Sequence, residues 1–318
     1  MRGNYKIKHL VGRDCMNTKI LIITSSNDLT CDYLVGKYSG VSFFRLDFDR
    51  FSDYAIEVNE NGFSIKLGED SITTDTCRSI YYRKPVAESL CGVFEDKYHA
   101  FVHKEAYSLI EGLAESFEYR CLTRPSIMRR ANNKVVQLML AKKIGFKLPS
   151  SSITNAASNI ERIGGVQKIV KPLAVGTVVG QGVKEFVQTN LLDEEVSTEH
   201  LKYTPAYFQE YVGKDYEVRS TFIGKAEFSV RIQSENKIDW RKANNKLTYE
   251  ALQLPKSICD MCLRFMSDLN MSFGCFDFIV HGGEFYFLEM NANGQWAWLE
   301  IEVGVNISKS IVEYLNEQ

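Results

Sequence analysis

The sequence predicts a mixed α/β and α+β fold in two or three lobes, and three observations carry that expectation. A short apolar strand, KILIIT (19–24), runs directly into helix-capping residues, as in an αβ unit. Short strands, helices and a glycine-containing stretch alternate through the middle of the chain. Near the C-terminus, two apolar runs flank a Gly-Gly pair in GCFDFIVHGGEFYFLEMNANGQWAWLE (274–300), which reads as a β-hairpin. At 318 residues the chain is long enough to bury a large core.

In order, residues 1–18 read as an arm, with Met16 an alternative start. Residues 19–120 read as an N-terminal αβ domain. Ser25, Ser26, Asn27 and Asp28 offer turn and N-cap groups for a helix through Val35, and VSFFRLD (41–47) is a second strand. Asn61-Gly62 centres a hairpin, SIYYRK (79–84) is a strand stopped by Pro85, and a helix from about Lys97 to Phe117 closes the lobe. Residues 121–205 read as a central lobe. A basic connector becomes a helix near Asn132, which turns Val135, Leu138, Met139 and Ile144 toward the core and ends at Gly145. SSITN is a short strand, and VQKIVKPLAVGTVVGQGVKEF (166–186) is a β-run followed by a long irregular loop with Gly176, Gly180 and Gly182. Such a loop leaves backbone N–H groups free to approach phosphates, although it matches neither common phosphate-loop motif. Residues 206–318 read as a C-terminal lobe. YFQEYV (207–212), YEVRSTFIG (216–224) and AEFSVRIQS (226–234) form a three-strand meander, a helix starts at Pro255, and ISKSIVEYL (307–315) is a closing amphipathic helix.

Composition excludes several classes. Net charge is −2 with basic residues dispersed, so nothing resembles a nucleic-acid footprint. No apolar run approaches the roughly 20 residues of a membrane span, and the basic N-terminus lacks a secretory apolar stretch, which points to the cytoplasm. The eight cysteines are scattered, and Cys259 and Cys262 have no second pair nearby, so reduced core thiols are expected. His99 and His103 lie four apart without the glutamate of a zinc-protease helix and read as ordinary helix residues.

Chemistry concentrates in the Gly-Gly hairpin. Glu289 and Asn291 share a strand face by the period-two rule, but the face of Asp277 depends on the turn. A two-residue turn pairs 277 with 288 and sends Asp277 to the other face. A three-residue turn, His281 to Gly283, pairs 277 with 287 and makes Asp277 a diagonal neighbour of Glu289; this register is the one expected. Two carboxylates and an amide oxygen on one face suit Mg²⁺. Glu217 and Arg219 share a face of the preceding strand, and Arg231 interrupts the next. Two lysines complete the set, Lys134 and Lys171, the latter beside the glycine loop.

The order of lysines, glycine loop, Gln-Glu-Tyr-Val strand end, arginines and acid-acid-amide set resembles the ATP-grasp superfamily over about residues 120–315. The phrases YYRKP (81–85), RRANNKVVQLMLAKKIGFKLPSSSITN (129–155), FQEYVGKDYEVRSTFIG (208–224), DWR (239–241) and FLEMNANGQWAWLE (287–300) narrow the resemblance to the microviridin-type graspetide maturases. The metal strand departs from the family pattern, reading Asn-Ala-Asn where Asn-Pro is expected after the first Asn. The resemblance implies an ATP-grasp fold preceded by a pre-ATP-grasp domain. It implies ATP as cosubstrate, with Lys134 and Lys171 on its phosphates. The strand end Gln209, Glu210, Tyr211 and Val212 would lie at adenine, with the backbone of Glu210 and Val212 bonding it, and Glu217 would hold the ribose. Asp277, Glu289 and Asn291 would hold two Mg²⁺ ions. Arg219 and Arg231 would clamp the acceptor carboxylate and the transferred phosphoryl group, with Lys171 offsetting phosphate charge. The implied partner is a ribosomal precursor peptide with a leader segment, for which Asp193, Glu194 and Glu195 are candidate contacts; a homodimer is left open. The implied reaction activates Asp or Glu side chains as acyl phosphates and closes ω-ester or ω-amide rings with Ser, Thr or Lys. The competing readings are an intermolecular ligase with the same activation chemistry, and a nucleotide-binding module without turnover. Trp240, Trp296 and Trp298 read as packing anchors.

Overall fold

A computed structural model describes residues 18–174, 177–180, 183–186, 189–192, 196–235 and 245–317. The chain begins with β1 (Lys19–Thr24), α1 (Leu29–Lys37), β2 (Phe43–Asp47), β3 (Ala55–Asn59), β4 (Gly62–Leu67), β5 (Asp70–Thr73), β6 (Cys77–Tyr82), α2 (Asp96–Ser116) and β7 (Cys121–Leu122). Strands β2-β1-β6-β7 form a parallel sheet, and β3-β4-β5 an antiparallel one. β1 is fully buried from Ile20 to Ile23, as a strand covered on both faces requires.

The middle of the chain supplies α3 (Pro125–Asn132), α4 (Lys134–Ile144), β8 (Ser151–Thr154), β9 (Lys168–Lys171), β10 (Thr177–Gly180), β11 (Val183–Phe186), β12 (Asn190–Leu191) and β13 (Ala206–Glu210). Asn133 divides the basic connector into two helices: it ends α3 with extended backbone, and its side chain caps α4 at Val135 and Val136 N–H. The buried face of α4 is Gln137 and Ala141, with Val136, Leu140 and Ile144 packed beside them. Val135 and Met139 are exposed, contrary to the periodicity reading. The expected irregular glycine loop is instead a hairpin, with Thr177 opposite Phe186 and Gly180 opposite Val183.

The remainder supplies β14 (Tyr216–Ile223), β15 (Ala226–Ser234), β16 (Leu247–Leu252), α5 (Lys256–Asp268), β17 (Phe273–His281), β18 (Glu284–Asn291), α6 (Ala297–Val303) and α7 (Ile307–Asn316). The expected three-strand meander is split between sheets. β13 joins the antiparallel sheet β12-β9-β13-β8, whereas β14 and β15 belong to the five-stranded sheet β16-β15-β14-β17-β18. β16, missed in a polar stretch, closes one edge of that sheet.

The five-stranded sheet is buried on both faces. One face carries Phe222, Phe276, Phe278 and Phe287 against Phe265 of α5. The other packs Val230, Phe273 and Cys275 into a core shared with α6, α7, β1 and α1, so the N-terminal sheet and the five-stranded sheet have a common interior. Trp296, fully buried there, donates from Nε1 to Tyr81 Oη at 3.1 Å. The seven described cysteines are all free thiols. No helix among the described residues is long and apolar enough to cross a membrane.

A buried ion pair within the N-terminal lobe ties the cap of α1 to the residue after β6. Asp28 caps α1, accepting from Thr30 N–H at 3.1 Å, and its other oxygen accepts from Arg83 Nε at 3.2 Å. Burial alone would raise the Asp28 pKa, but Arg83 and the Thr24 hydroxyl pull it from 3.8 down to about 2. A carboxyl depressed in this way stabilises the fold fully above its ordinary pKa and loses that contribution as pH falls through the folded value. Asp28→Asn retains a good N-cap but strands a buried guanidinium, at an expected cost of about 3–5 kcal/mol at neutral pH. Urea unfolding at a series of pH values should show the gap from the unsubstituted protein closing as pH drops from 3.8 toward 2.

Candidate active site

The hairpin turns at Gly282 and Gly283, with φ of 57° and 80°, and pairs His281 with Glu284. It is therefore a two-residue turn requiring left-handed backbone at both positions, not the expected three-residue one. The ladder then shifts between Asp277 and Phe278: Phe278 lies opposite Phe287, whereas Asp277 lies opposite Glu289. Leu288 is the extra residue of a β-bulge. The bulge leaves Phe287 on the apolar face and turns Glu289 and Asn291 to the face of Asp277, with Glu289 directly rather than diagonally opposite it and Asn291 opposite Cys275.

Asn291 bridges the two acids, its Nδ2 donating to Asp277 Oδ2 and Glu289 Oε1 at 3.0 Å each. The amide NH₂ stands where a cation between two carboxylates would stand, and a half-turn about its terminal bond would present Oδ1 there instead. Among the described residues no three His, Cys, Asp or Glu side chains gather as a metal site, so a third protein oxygen must come from an amide. Two carboxylates and one amide fit a hard divalent cation such as Mg²⁺.

Cations surround this set. Arg219, opposite Asp277 in the β14–β17 ladder, donates from Nη1 to both Asp277 oxygens at 2.8 and 2.6 Å. Burial disfavours its charge, but Asp277 more than compensates and raises its pKa. Lys134, the first residue of α4, pairs with Glu289. Burial would raise the Glu289 pKa, yet Lys134 and then Lys171 outweigh it and hold the carboxyl well below its usual range. Lys171 ends β9, its ammonium 3.3 Å from Gln209 Oε1 and 4.4 Å from the Tyr207 ring centroid.

These groups line one cleft of about 1100 Å³, which contains Lys134, Lys171, Glu217, Arg219, Asp277, Glu289 and Asn291. Its opposite wall comes from the N-terminal lobe and α3, with Tyr82, Arg83, Lys84, Tyr107 and Met128. Glu217 is buried and paired with Lys214. Gln209 and Glu210 end β13 and Tyr211 and Val212 follow it; Gln209 touches Lys171, but none of the four lines this cleft. Glu210 N–H bonds Ser150 O and Tyr211 N–H bonds Gln167 O, both at 2.8 Å, so these two donors are already engaged.

Arg231 is not brought to this cleft. It pairs with Val218, on the face opposite Arg219, and stacks on Tyr216 at 4.1 Å with Nη2 on Gln233. Strand alternation, one residue out of phase with Arg219, decides this. Gly180 lies in β10 beside its hairpin turn. Gly176, Gly182, Asp193, Glu194, Glu195 and Asp239-Trp240-Arg241 lie outside the described residues. His99 and His103 act locally, bonding Phe94 O and Glu88 O.

Sequence reading missed the loop after β18. Gln295 O lies 3.5 Å from Arg219 Nη2, and its side chain accepts from Arg83 Nη2 at 3.1 Å. Asn293 donates to Arg83 O. The phrase NANGQW offered one usable signal, a glycine directly after the acid-acid-amide strand, where Gly294 N–H closes a turn on Asn291 O at 3.3 Å.

With this geometry in view, comparison with known proteins is specific. Residues 19–128 match the family model of the MvdD pre-ATP grasp domain. A search of curated proteins gave no significant match. A Chryseobacterium gregarium RiPP-associated ATP-grasp ligase, in complex with ADP and a leader and core peptide, superimposes with TM-score 0.82 and 27% identity, over 94% of this chain and 96% of that one. The macrocyclase MdnC bound with precursor peptide MdnA, from Microcystis aeruginosa MRC, gives TM-score 0.82 and 26% identity over 93% and 98%. ATP-grasp ligase PsnB, complexed with a phosphomimetic variant of minimal precursor, Mg and ADP, gives 0.75 and 20% over 94% and 98%. The chain thus has the ATP-grasp fold behind a pre-ATP-grasp domain. Within that fold, its likeness is to the graspetide-type ATP-grasp ligases.

Gly294 is required by space. A Cβ there would lie 2.5 Å from Cys275 Sγ and 2.6 Å from Arg219 Nη2. Gly294→Ala should destabilise the protein by about 1–3 kcal/mol, because Cys275 is core and Arg219 is tied to Asp277. The denaturation midpoint should fall, whereas Gly36→Ala, in open space within α1, should leave it unchanged or raise it slightly, because alanine is the better helix former.

Proposed function

We propose that this chain is an ATP-dependent ligase that activates Asp or Glu side chains of a ribosomal precursor peptide and closes ω-ester or ω-amide rings with Ser, Thr or Lys. The observation carrying this reading is one cleft holding an acid-acid-amide set opposite Lys134 and Lys171. The likeness to ligases solved with ADP and with leader, core or precursor peptides supports the choice of substrate.

Lys134 and Lys171 are suited to the phosphates of ATP, and Lys134 is free to exchange its Glu289 contact for a phosphate oxygen once another cation neutralises that acid. Asp277, Glu289 and Asn291 would hold Mg²⁺, which would supply charge neutralisation for the phosphates. Glu217 takes the ribose, and the strand end from Gln209 to Val212 takes adenine through the carbonyl of Glu210 and the backbone of Val212. Gly176, Gly180 and Gly182 would serve the phosphates, and Asp193, Glu194 and Glu195 the leader.

A peptide carboxylate oxygen attacks the γ-phosphorus and its bond to the β–γ bridging oxygen breaks, which gives an acyl phosphate and ADP. A hydroxyl or amine of the same peptide then attacks the acyl carbon, the carbon–oxygen bond to phosphate breaks, and one proton is released. The apolar and aromatic cleft walls limit water's access to the acyl phosphate. Arg219, held by Asp277, contributes positive charge beside the transferred group.

Incubation with Mg-ATP and the precursor peptide, read by ADP release and mass spectrometry, tests this reading. Loss of one water per new bond is the expected result. A mass gain on adding a free amine would instead make the enzyme an intermolecular ligase, and absence of peptide-dependent ADP release would leave only a nucleotide-binding module. Glu289→Gln, which keeps shape but removes charge, should lower turnover by roughly a hundredfold or more.

A further inference from the structure

A carboxylate-activating enzyme needs a cation for the acid it activates, and most of the cleft's cations are already committed. Arg219 spends Nη1 on both oxygens of Asp277, and Lys134 is on Glu289. Arg129 is on Glu111 at 2.6 Å, and Arg83 is fully buried on Asp28, Tyr81 and Gln295. Lys171 lies at the nucleotide end, against Gln209 and Tyr207.

Lys84 is different. It lines the cleft from the N-terminal wall and remains exposed, and among the described residues its ammonium has no acceptor. Its backbone, in contrast, is pinned. Arg83 N–H bonds Ile23 O at 2.9 Å, Ser25 Oγ donates to Lys84 O at 3.1 Å, and Tyr107 Oη donates to Pro85 O at 3.1 Å. A long cationic side chain on a fixed base, facing a cleft and paired directly with no acid among the described residues, is arranged to receive an anion from solution.

Resting on the ligase reading above, we propose that Lys84 binds the peptide carboxylate that is to be activated. The pre-ATP-grasp domain then contributes a substrate-recognition residue to the active site, across the cleft from the metal face. Arg83 and Arg219 line the same cleft, so a carboxylate bound at Lys84 would offset a local concentration of positive charge. Lysine also suits a transient contact, because its point charge can follow the carboxyl oxygens as they turn toward the γ-phosphate.

The test is equilibrium binding, in the presence of Mg-ADP, of a synthetic peptide containing Thr and Glu and of its counterpart with every Glu replaced by Gln. The unsubstituted enzyme should prefer the acidic peptide by about tenfold or more, the range expected for a hydrogen bond to a charged group. Lys84→Met should abolish that preference while binding Mg-ADP as before, and Lys84→Arg should restore most of it. If Lys84→Met keeps the preference, or the unsubstituted enzyme shows none, the assignment is overturned. Loss of Mg-ADP affinity in Lys84→Met would likewise overturn it, by marking Lys84 as a nucleotide or structural residue. Peptide-dependent ADP release by the unsubstituted enzyme reports separately on the ligase reading. If release occurs and Lys84→Met leaves the peptide KM unchanged, only the Lys84 assignment falls. If no release occurs but the Glu-peptide preference depends on Lys84, the binding site stands and the ligase reading falls.

Discussion

A hairpin with a two-residue turn imposes a parity rule: the residues it pairs have position numbers summing to an odd number. His281 and Glu284 obey it, as do all pairs up to Phe278 and Phe287. Under that rule Asp277 would lie opposite Leu288, and Glu289 would share a face with Phe287, buried among Phe265, Phe276 and Phe278. One extra residue, Leu288, changes the parity halfway along the strand. The far half of the hairpin keeps an aromatic face against α5, and the near half presents Asp277, Glu289 and Asn291 to the cleft. Every chemical property assigned to the cleft depends on this one-residue slip.

Placing acids together on a half-buried sheet is costly unless their charge is balanced. Here the balance is local. Arg219 answers Asp277 across the β14–β17 ladder, and Lys134 reaches Glu289 from the first turn of α4. A lysine at that position opposes the positive end of its own helix dipole, an arrangement that makes sense only with an anion close by. These contacts satisfy both acids within the protein, and an anion offered to the lysine together with a cation offered to the acid would let the pair separate with neither left bare.

Much of this was legible in the sequence. The alternation of strands and helices, the N-cap before α1, the Asn61-Gly62 and Gly282-Gly283 turns and the acid-acid-amide set all follow from local rules. What escaped is non-local. Nothing in FYFLEMN marks Leu288 as a bulge, because the shift is chosen by packing Phe287 and by the charges of Arg219 and Lys134. A three-residue turn would have given similar faces by another route, so the acids were placed on one face by a turn that does not exist. Arg231 was misjudged because one residue of phase sends it behind the sheet, onto Tyr216. The assignment of β13 to a separate sheet was equally invisible, since YFQEYV has the same pattern as the strands after it. Arg83 could be read only as part of a family phrase, since burial of an arginine is visible only once its partner Asp28, 55 residues away, is in place.

The role of the N-terminal lobe follows from that arginine. Its guanidinium bonds Asp28 and Gln295, and its backbone carbonyl accepts from Asn293. Gln295 in turn sets its own carbonyl 3.5 Å from Arg219, whose other amino group holds Asp277. A continuous set of polar contacts thus runs from the cap of α1 to the metal face, flanked by the apolar core that Trp296 and Tyr81 share. A free-standing C-terminal lobe would leave Gln295 and Asn293 without these partners, and the loop containing Gly294 would lose the constraint that keeps it against Arg219. The N-terminal lobe therefore does more than wall the cleft: it fixes the loop against which the arginine–aspartate pair is aligned. A cleft held between two lobes in this way keeps its charged groups in register.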